Sequence, residues 1–559
     1  MRRMISFLAI LFVLACAFFL APPDERTVPV SPPPPKIVRR VLLVPLDSRP
    51  PCGRFVQDAA RIAGVEVVLP PAELLDEYFR PGNCAALRAW TMEHIAGFDA
   101  AILSVDQLLH GGLLASRQMK KTVDDENELL AFLRGLRAAH PDVPLYAFSI
   151  LPRMTPPDGL CDWEEQKRLM KYSRLKGKIA REARPKAEEL AALETLRSSI
   201  EPEILTRYEA LFTNYASFGH RLIDFAESGT LDRLVIGQDD SEPNSIPNLV
   251  LQQLAETLAK KRIGEDRVFL TQGADELALL MLAAAEAKRE SFSPRVAPAY
   301  CDDSASSRVL PYMGATLSET AREKIRFCGG VLAASPEAAD FTLYLSAFDK
   351  PTKVHRNNAA AEINALLDKK RAVALVDLAE HLCLDETLLP VLIETGTPIH
   401  ALAAYAGWNT ASNSVGAAVA HAVLLQIAQR RAATEDDALR VAAAHLSFLD
   451  GRMLEDCYYL KDVVDHLNYS LEKCGAQNGR GLEYNYNYPL GSMLLEKAME
   501  NRRARFVDTA AYRTPYTFET QGSTLRLRAA DCTVTARFPW PRTFEIDLRT
   551  TTHIETLPQ

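Results

Sequence analysis

Val41-Leu-Leu-Val-Pro-Leu-Asp47-Ser-Arg49-Pro-Pro51 is the stretch that decides the fold. Its unbroken apolar run predicts a strand that is buried on both faces, as in a parallel sheet. The polar residues that follow would lie at the carboxyl end of the strand, where open α/β sheets and α/β barrels bind their ligands. Two prolines end the strand and stiffen the loop, so Asp47 and Arg49 are candidate ligand-binding residues. A plain structural ion pair explains an Asp-x-Arg turn equally well.

The same pattern recurs downstream, which favours the ligand-binding interpretation. Further apolar runs lie at 65–69, 100–105, 144–151, 232–238 and 266–271, and helical stretches separate most of them. This alternation predicts an α/β domain over 39–290 whose core is a parallel sheet, either open or closed as a barrel. A charged helical stretch at 162–228 interrupts the alternation, and we expect it to be a helical insertion.

The second half of the chain predicts three further regions. Residues 291–425 form a second α/β lobe, with candidate strands at 294–298, 329–333, 340–346, 371–376 and 397–403. Residues 426–507 are helical, and 508–559 alternate apolar and polar residues as a small β-rich tail does. The fold class is therefore α/β, with a parallel-sheet or barrel-like core, a second α/β lobe, a helical domain and a β-rich tail.

Composition excludes several classes of protein. The chain has 559 residues, 48% of them hydrophobic, and a net charge of −8, with no basic stripe for nucleic acid. Its ten cysteines are scattered singly, so neither a structural zinc site nor a disulfide framework is expected. No P-loop, dinucleotide fingerprint or serine nucleophile elbow occurs, and we expect no cofactor and no metal.

The N-terminus has the pattern of a targeting segment. Arg2 and Arg3 precede an apolar run, and residues 1–21 fit a signal peptide or an uncleaved signal anchor. Cys16 ends a loose lipobox, so a lipoprotein is a further alternative. Residues 22–38 contain seven prolines and predict an extended linker. All alternatives place the body outside the cytoplasm, membrane-anchored or free, with membrane contact through this segment only.

Asp239 and Asp240 are the candidate catalytic residues. They follow the apolar run at 232–238, and two adjacent carboxylates at a strand end can divide labour, one ionised and one held protonated. Oxygen ligands of this kind also suit a divalent metal. A turn that caps the following helix is the bland alternative.

Other strand ends supply candidate substrate-binding residues. Asp106 and His110 follow the third strand, Arg153 follows the fourth, and Asp275 and Glu276 follow the sixth. Helix capping and helix-dipole effects explain the acidic residues almost as well.

A later loop adds Trp408, Asn409 and Asn413 to the candidate substrate-binding residues. An indole beside amides suits a sugar, because the ring offers an apolar face and the amides bind hydroxyls. A helix N-terminus with Asn and Thr caps is the competing explanation.

These motifs together resemble one bacterial family, catalogued as a domain of unknown function, DUF4127. The resemblance covers roughly 40–510 and is carried by Pro45–Pro50, Ser104–Arg117, Gly237–Asp240, Gly273–Glu276, Tyr405–Asn413 and Arg452–Tyr459. The chain departs from the family pattern at three places. His110 stands where the family has tyrosine, Cys457 where it has tryptophan, and 382–384 where it has an Asn-Gly pair. The resemblance implies one intact fold and supports the choice of motifs, but it implies no reaction.

The expected function is an exported hydrolase that acts on a glycan or a similar polar substrate through the Asp239–Asp240 pair. A non-catalytic, membrane-tethered protein that binds a solute or glycan between two lobes is the alternative, and a metal-dependent hydrolase comes third. The expected partner is a small-molecule or glycan ligand, and no nucleic acid.

Overall fold

The structure is a computed structural model that describes residues 28–118, 121–157, 159–475 and 480–558. The predicted signal segment at 1–21, with Cys16, lies outside the described residues, as does the first part of the 22–38 linker. The first described strand of the protein is β1 (Val28–Val30), which lies within this linker and pairs with the C-terminal sheet. The rest divides into two parallel sheets with interleaved helices, a helical region and a C-terminal antiparallel sheet, which confirms the predicted fold class.

The first lobe is an open, six-stranded parallel sheet in the order β3-β2-β4-β5-β6-β7. Its strands are β2 (Arg39–Val44), β3 (Val65–Val68), β4 (Ala100–Ser104), β5 (Leu145–Leu151), β6 (Arg233–Gln238) and β7 (Val268–Gln272). Each coincides with one of the predicted apolar runs. The barrel alternative is wrong, because β3 and β7 are the sheet's edges and do not pair with each other.

Helices cover both faces of this sheet. They are α1 (Arg54–Ile62), α2 (Cys84–His94), α3 (Val105–His110), α4 (Leu113–Ser116), α5 (Val123–Ala139), α6 (Trp163–Arg181), α7 (Ala187–Ser198), α8 (Pro202–Glu227), α9 (Ile246–Lys261) and α10 (Leu277–Arg289). Successive strand residues face opposite cores: Leu42 packs with α2, α5 and α8, whereas Leu43 packs with α1, α10 and the second lobe. Both faces are therefore buried, as the continuous apolar runs predict.

The charged insertion is three helices, α6 to α8. The third is a core helix as well as a surface helix, because a buried stripe recurs along it at helical spacing, including Tyr208, Leu211, Tyr215 and Leu222. The Tyr208 hydroxyl donates a hydrogen bond to the carbonyl of Met154, just after β5 (O···O 2.6 Å). The insertion thus packs directly under the sheet's carboxyl edge.

The second lobe has a five-stranded parallel sheet in the order β12-β11-β10-β8-β9. Its elements are β8 (Arg295–Tyr300), α11 (Leu317–Phe327), β9 (Val331–Leu332), β10 (Phe341–Ser346), α12 (Lys353–Asp368), β11 (Val373–Asp377), α13 (Leu389–Glu394) and β12 (Ala404–Ala406). The strand predicted at 397–403 is wrong: Ile399–Ala401 is a 3-10 turn, and β12 begins after it. Pro398 lacks a backbone donor and starts that turn instead of a ladder.

The helical region wraps both lobes. It contains α14 (Ala411–Arg431), α15 (Glu435–Arg452), a π-helical segment (Met453–Val463), α16 (Val464–Lys473), α17 (Tyr488–Val507) and α18 (Ala510–Arg513). Among the described residues, α14 is the one helix long and apolar enough to cross a membrane. Its most apolar stretch is 89% buried, as in a core helix, and α14 packs against α10 and α11 between the two lobes.

The C-terminal sheet is antiparallel in the order β1-β15-β14-β13, with β13 (Tyr516–Glu519), β14 (Thr524–Arg537) and β15 (Asp547–Leu557). Its inner face packs on α15 and α17. The proline-rich stretch after β1 has no regular secondary structure but is held to α15. Lys36 pairs with Asp437 (3.3 Å), and Arg440 donates to the carbonyl of Pro34 (3.0 Å). The nine described cysteines are free thiols.

Candidate functional site

The predicted site residues of the first lobe lie at the carboxyl edge of its sheet. The chain runs from β2 outward to β3 and then returns to the other side of β2 as β4, so the strand order reverses between β2 and β4. Loops that leave two neighbouring strands in opposite directions open a crevice, and open α/β sheets bind ligands there. Asp47 follows β2, and Asp106 lies in α3, directly after β4.

Asp47, Arg49 and Asp275 form one buried ion-paired cluster in this crevice. Arg49 Nη2 lies 2.6 Å from Asp47 Oδ2 and 2.6 Å from Asp275 Oδ1, so one guanidinium joins the ends of β2 and β7. Asp47 is 0% exposed and Arg49 6%. Burial raises the pKa of Asp275 to about 6, against the opposing effect of Arg49. The predicted pair at the first strand is thus a triad that ties two strand ends together.

Cys52 completes the one group of potential metal ligands that the described residues form. The ligand atoms of Asp47, Cys52 and Asp275 lie within 4.8 Å of one another. However, the Arg49 guanidinium already binds both carboxylates, and burial raises the pKa of the Cys52 thiol well above its usual value. A cation there would have to displace Arg49 and deprotonate a buried thiol, so the donor set fits an arginine better than a metal.

Asp239 and Asp240 lie directly after β6, and their surroundings differ. Arg117 Nη2 donates to Asp239 Oδ2, and both side chains are less than 10% exposed. Burial alone would raise the pKa of Asp239, but Arg117 and Arg153 lower it below its usual value. Asp240 is half-buried and forms no ion pair with any described residue. Burial and the Asp239 charge raise its pKa to about 7.

This difference gives the pair two distinct states near neutral pH. Asp239 is ionised, while Asp240 holds its proton about half of the time, because its pKa is about 7. A carboxylate can act as a general base and a carboxylic acid as a general acid, so the two adjacent groups suit general acid–base catalysis. Asp275 is close enough for its charge to raise the pKa of Asp240 further, so the triad and the pair share one electrostatic environment.

Asp106 lies beneath the crevice and braces it. It is 0% exposed, and both carboxylate oxygens have donors: the Tyr215 hydroxyl at 2.5 Å and the Ile150 amide at 2.9 Å. Burial raises its pKa to about 7. His110 stacks on the ring of Tyr215 with centroids 6.4 Å apart, and burial lowers its pKa to about 4, so it is a neutral neighbour of this brace. Of these two residues, only the half-buried His110 is open to a ligand.

Two polar residues of the crevice that the sequence reasoning missed are Asp76 and Gln107. The amide of Ser48 donates to Asp76 Oδ1 (2.9 Å), while Asp76 Oδ2 has no hydrogen-bond partner in the described ranges. The side-chain amide of Gln107 is fully buried, and neither its oxygen nor its nitrogen has a hydrogen-bond partner among the described residues. Gly112, with φ +124°, lets the chain pass Asp76, because a Cβ atom would lie 2.9 Å from the Asp76 Cγ atom. Buried polar atoms without partners are the atoms a polar ligand would satisfy.

Glu276 points away from the crevice and joins the two lobes. Lys324 of α11, fully buried, lies 2.8 Å from Glu276 Oε1, and Ser412 of α14 donates to the same oxygen (3.2 Å). Gly273, with φ +92°, makes room for them, since a Cβ atom would lie 2.6 Å from Ser412 Oγ. Glu276 therefore forms an interlobe ion pair with Lys324, and these partners belong to the second lobe and the helical region.

The Trp408–Asn413 loop approaches this interlobe contact from the second lobe. The π-helical segment holds it: Gly407 N donates to Asp456 (2.9 Å), and Lys461 donates to the Gly407 carbonyl (2.7 Å). Asn409 has a left-handed backbone, with φ 50°. Trp408 Nε1 and Asn413 Oδ1 are buried and lack partners in the described part of the chain. The loop ends at Thr410, where α14 begins, so the predicted helix N-terminus is present here. Ser412, in the first turn of α14, reaches Glu276, and within the described ranges none of the residues 408–413 forms a hydrogen bond to Asp239 or Asp240.

The β-rich tail supplies a residue that no local signal in the sequence marks. Trp540, only 1% exposed, donates from Nε1 to Ser48 Oγ (2.8 Å), and its ring lies 5.3 Å from the Arg49 guanidinium carbon. It closes one side of the triad. Arg117 belongs to the motif around Asp106 but was not chosen as a site residue, because its pairing with Asp239 crosses 122 positions.

A family model described as a protein of unknown function, DUF4127, matches residues 41–549. No curated protein and no solved structure matches the chain. The matched span contains both lobes, the helical region and most of the tail, which confirms the resemblance that the strand-end motifs suggest.

Proposed function

We propose a function for this chain, which belongs to the DUF4127 family, from the chemistry of its site: it is a hydrolase that cleaves a glycan or a similarly polar substrate. The observation that carries the proposal is the unequal carboxylate pair after β6. Asp239 is held ionised by Arg117, whereas the adjacent Asp240 has no ion pair in the described part of the chain. Asp240 donates its proton to the leaving oxygen, and Asp239 accepts the proton of the attacking water.

Unpartnered polar atoms at the crevice and at the interlobe contact support a polar substrate. Asp76, Gln107, Trp408 and Asn413 each present at least one buried polar atom that has no partner among the described residues. Such atoms cost about 1–3 kcal/mol each unless a ligand satisfies them. A glycan carries many hydroxyl groups that both donate and accept, so it matches a mixed set of carboxylate, amide and indole groups.

The same unpartnered atoms favour one second candidate, a non-catalytic protein that binds a solute or glycan between its lobes. In that case the carboxylate pair would only orient the ligand. We also propose that the protein is exported and contacts the membrane through its N-terminal segment alone. Two arginines before an apolar run and a proline-rich stretch support this localisation.

Substitution of Asp240 separates the two functions. Asp240→Asn keeps the size of the side chain but removes the acid, so turnover of glycosides should fall by about 10²-fold or more. Asp240→Glu, which keeps a carboxyl group, should retain part of the activity. The assay is hydrolysis of a panel of chromogenic glycosides and soluble polysaccharides. Activity that survives both Asp239→Asn and Asp240→Asn would refute the hydrolase assignment, and bound ligand without any turnover would favour the binding protein.

A further inference from the structure

A tight turn carries two aromatic residues to one end of the crevice. Glu77 and Arg80 exchange two backbone hydrogen bonds of 2.9 Å, which places Tyr78 and Phe79 at the tip of the turn. Tyr78 has a left-handed backbone with φ 55°, and the Phe79 side chain is 48% exposed. A bulky residue adopts this conformation only where its surroundings fix it, and such residues cluster at binding sites.

This turn is connected to the ion-paired triad. The Tyr78 ring lies 5.5 Å from the Trp540 ring, and Trp540 in turn lies beside Arg49. From the helical region, the Tyr484 hydroxyl donates to Glu77 Oε1 (2.7 Å), while half of the Tyr484 side chain stays exposed. Residues from three distant parts of the chain therefore link the exposed rings of Phe79 and Tyr484, through Tyr78 and the buried Trp540, to Arg49. We call Phe79 and Tyr484 the near platform.

Another exposed ring belongs to a segment that contacts the residue after the carboxylate pair. Tyr312, on the second lobe, is 59% exposed and also has a left-handed backbone, with φ 66°. Its carbonyl accepts a hydrogen bond from the amide of Ser241 (3.1 Å), the residue next to Asp240. We call Tyr312 the far platform. Two exposed aromatic surfaces are thus connected to the carboxylates, the near platform through Trp540 and the triad and the far platform through Ser241.

We propose that the substrate is an extended glycan bound along this line, with sugar rings stacked on the near and the far platform and the cleaved bond between them. A pyranose ring has an apolar C–H face, which an exposed aromatic ring covers while the hydroxyl groups stay hydrogen-bonded. Contacts on both sides of Asp240 select an internal stretch of a chain over a single terminal sugar. This inference rests on the proposed glycan substrate but is independent of whether the bond is cleaved.

Binding of oligosaccharides of different length tests the inference. The probes are hexasaccharides and disaccharides of the neutral cello-, xylo-, malto- and chito-series, titrated by calorimetry into full-length protein carrying Asp240→Asn. One hexasaccharide should bind at least about tenfold more tightly than its disaccharide. Phe79→Ala and Tyr312→Ala should each weaken hexasaccharide binding roughly three- to tenfold and leave the disaccharide unaffected. Phe79→Tyr and Tyr312→Phe, which keep the rings, should bind as the parent does.

Trp163→Ala is the matched control, because this ring is 66% exposed on the helical insertion and lies outside both platforms. The inference is overturned if no hexasaccharide binds, if length has no effect, or if the two ring deletions bind like the control. Hydrolysis by the unsubstituted protein, measured in parallel, distinguishes failure of the extended binding site from failure of the proposed hydrolase function. Turnover without length dependence would refute the extended site alone, and ring-dependent binding without turnover would refute the hydrolase alone.

Discussion

Arg117→Gln should destabilise the first lobe by an amount that grows with pH. Arg117 and Asp239 are both almost fully buried, so the substitution leaves a carboxylate in a poorly solvated place. Loss of one partner from a buried ion pair costs about 3–5 kcal/mol. Since Arg153 also lowers the pKa of Asp239, one cation remains, and we expect a loss near the lower limit, about 3 kcal/mol.

The pH dependence follows from the direction of the pKa shift. In the parent protein, the pKa of Asp239 lies below its usual value, so the pair stabilises the fold above about pH 4 and this contribution fades as pH falls. Without Arg117, burial raises the pKa of Asp239 above its unfolded value, and the variant loses stability as pH rises. The difference between parent and variant should be largest at pH 8, smaller at pH 4, and lost only as pH falls below the lowered pKa of Asp239 in the parent.

Hydrogen exchange measured on peptides from β5 and β6 is the suitable assay, because a chain with two lobes does not unfold in one step. The double variant Arg117→Gln/Asp239→Asn, which has no buried charge, should recover most of the loss. Arg326→Gln is the control: its partner Glu265 is 61% exposed, and surface pairs contribute about 0–1 kcal/mol. Equal destabilisation at pH 4 and pH 8, or a double variant no more stable than Arg117→Gln, would refute the reasoning.

Three further predictions concern the site and the interlobe contact. Turnover should decline as pH rises past about 7, when Asp240 loses its proton, and the pH–rate profile of the parent protein measures this. Asp239→Asn should lower the pKa of Asp240, because it removes the negative charge that raises it, and an NMR titration of the Asp240 carboxyl group measures this without any turnover. Asn413→Ala should change the melting temperature little, since Asn413 Oδ1 has no hydrogen-bond partner among the described residues. It should weaken the free energy of ligand binding by roughly 1–3 kcal/mol, and unchanged binding would show that Asn413 does not belong to the site. Lys324→Met should lower the free energy of unfolding by about 3–5 kcal/mol, because it leaves the Glu276 carboxylate buried without its cation. The double variant Lys324→Met/Glu276→Gln should recover much of this loss in denaturant unfolding, and a double variant that is no more stable than Lys324→Met would contradict the ion-pair explanation.

The sequence predicted the strands of the first lobe well because both faces of that sheet are buried. A strand such as β2 then has no polar residue to obscure its apolar run, and the residue that follows the run marks the strand's carboxyl end. Asp47, Asp239 and Asp275 were selected in this way. Whether the sheet closes was not predictable, because closure depends on the pairing of β3 with β7 and not on either strand's own pattern.

The residues that the sequence reasoning missed come from tertiary packing. Trp540 reaches Ser48 across 492 positions, and nothing in its neighbourhood resembles a site motif. Asp76 has an ordinary loop context, and only its hydrogen bond to Ser48 identifies it. Glu276 shows the opposite error, because its place at a strand end predicted a substrate-binding residue. In the structure it pairs with the buried Lys324, 48 residues further along the chain, and no periodicity in the sequence indicates that pairing.

The pairing of β1 with β15 has a consequence for the order in which the molecule can be assembled. Val28 lies opposite Thr556, so the first described strand must wait for the last one to be synthesised. Both lobes contain mainly nearer neighbours along the chain and are able to fold while the ribosome is still at work. The C-terminal sheet alone remains incomplete until β15 has been synthesised. A ribosome that stalls before or within β15 would hold folded lobes with an unpaired β1 strand, a species that quality-control proteases could recognise by its exposed edge.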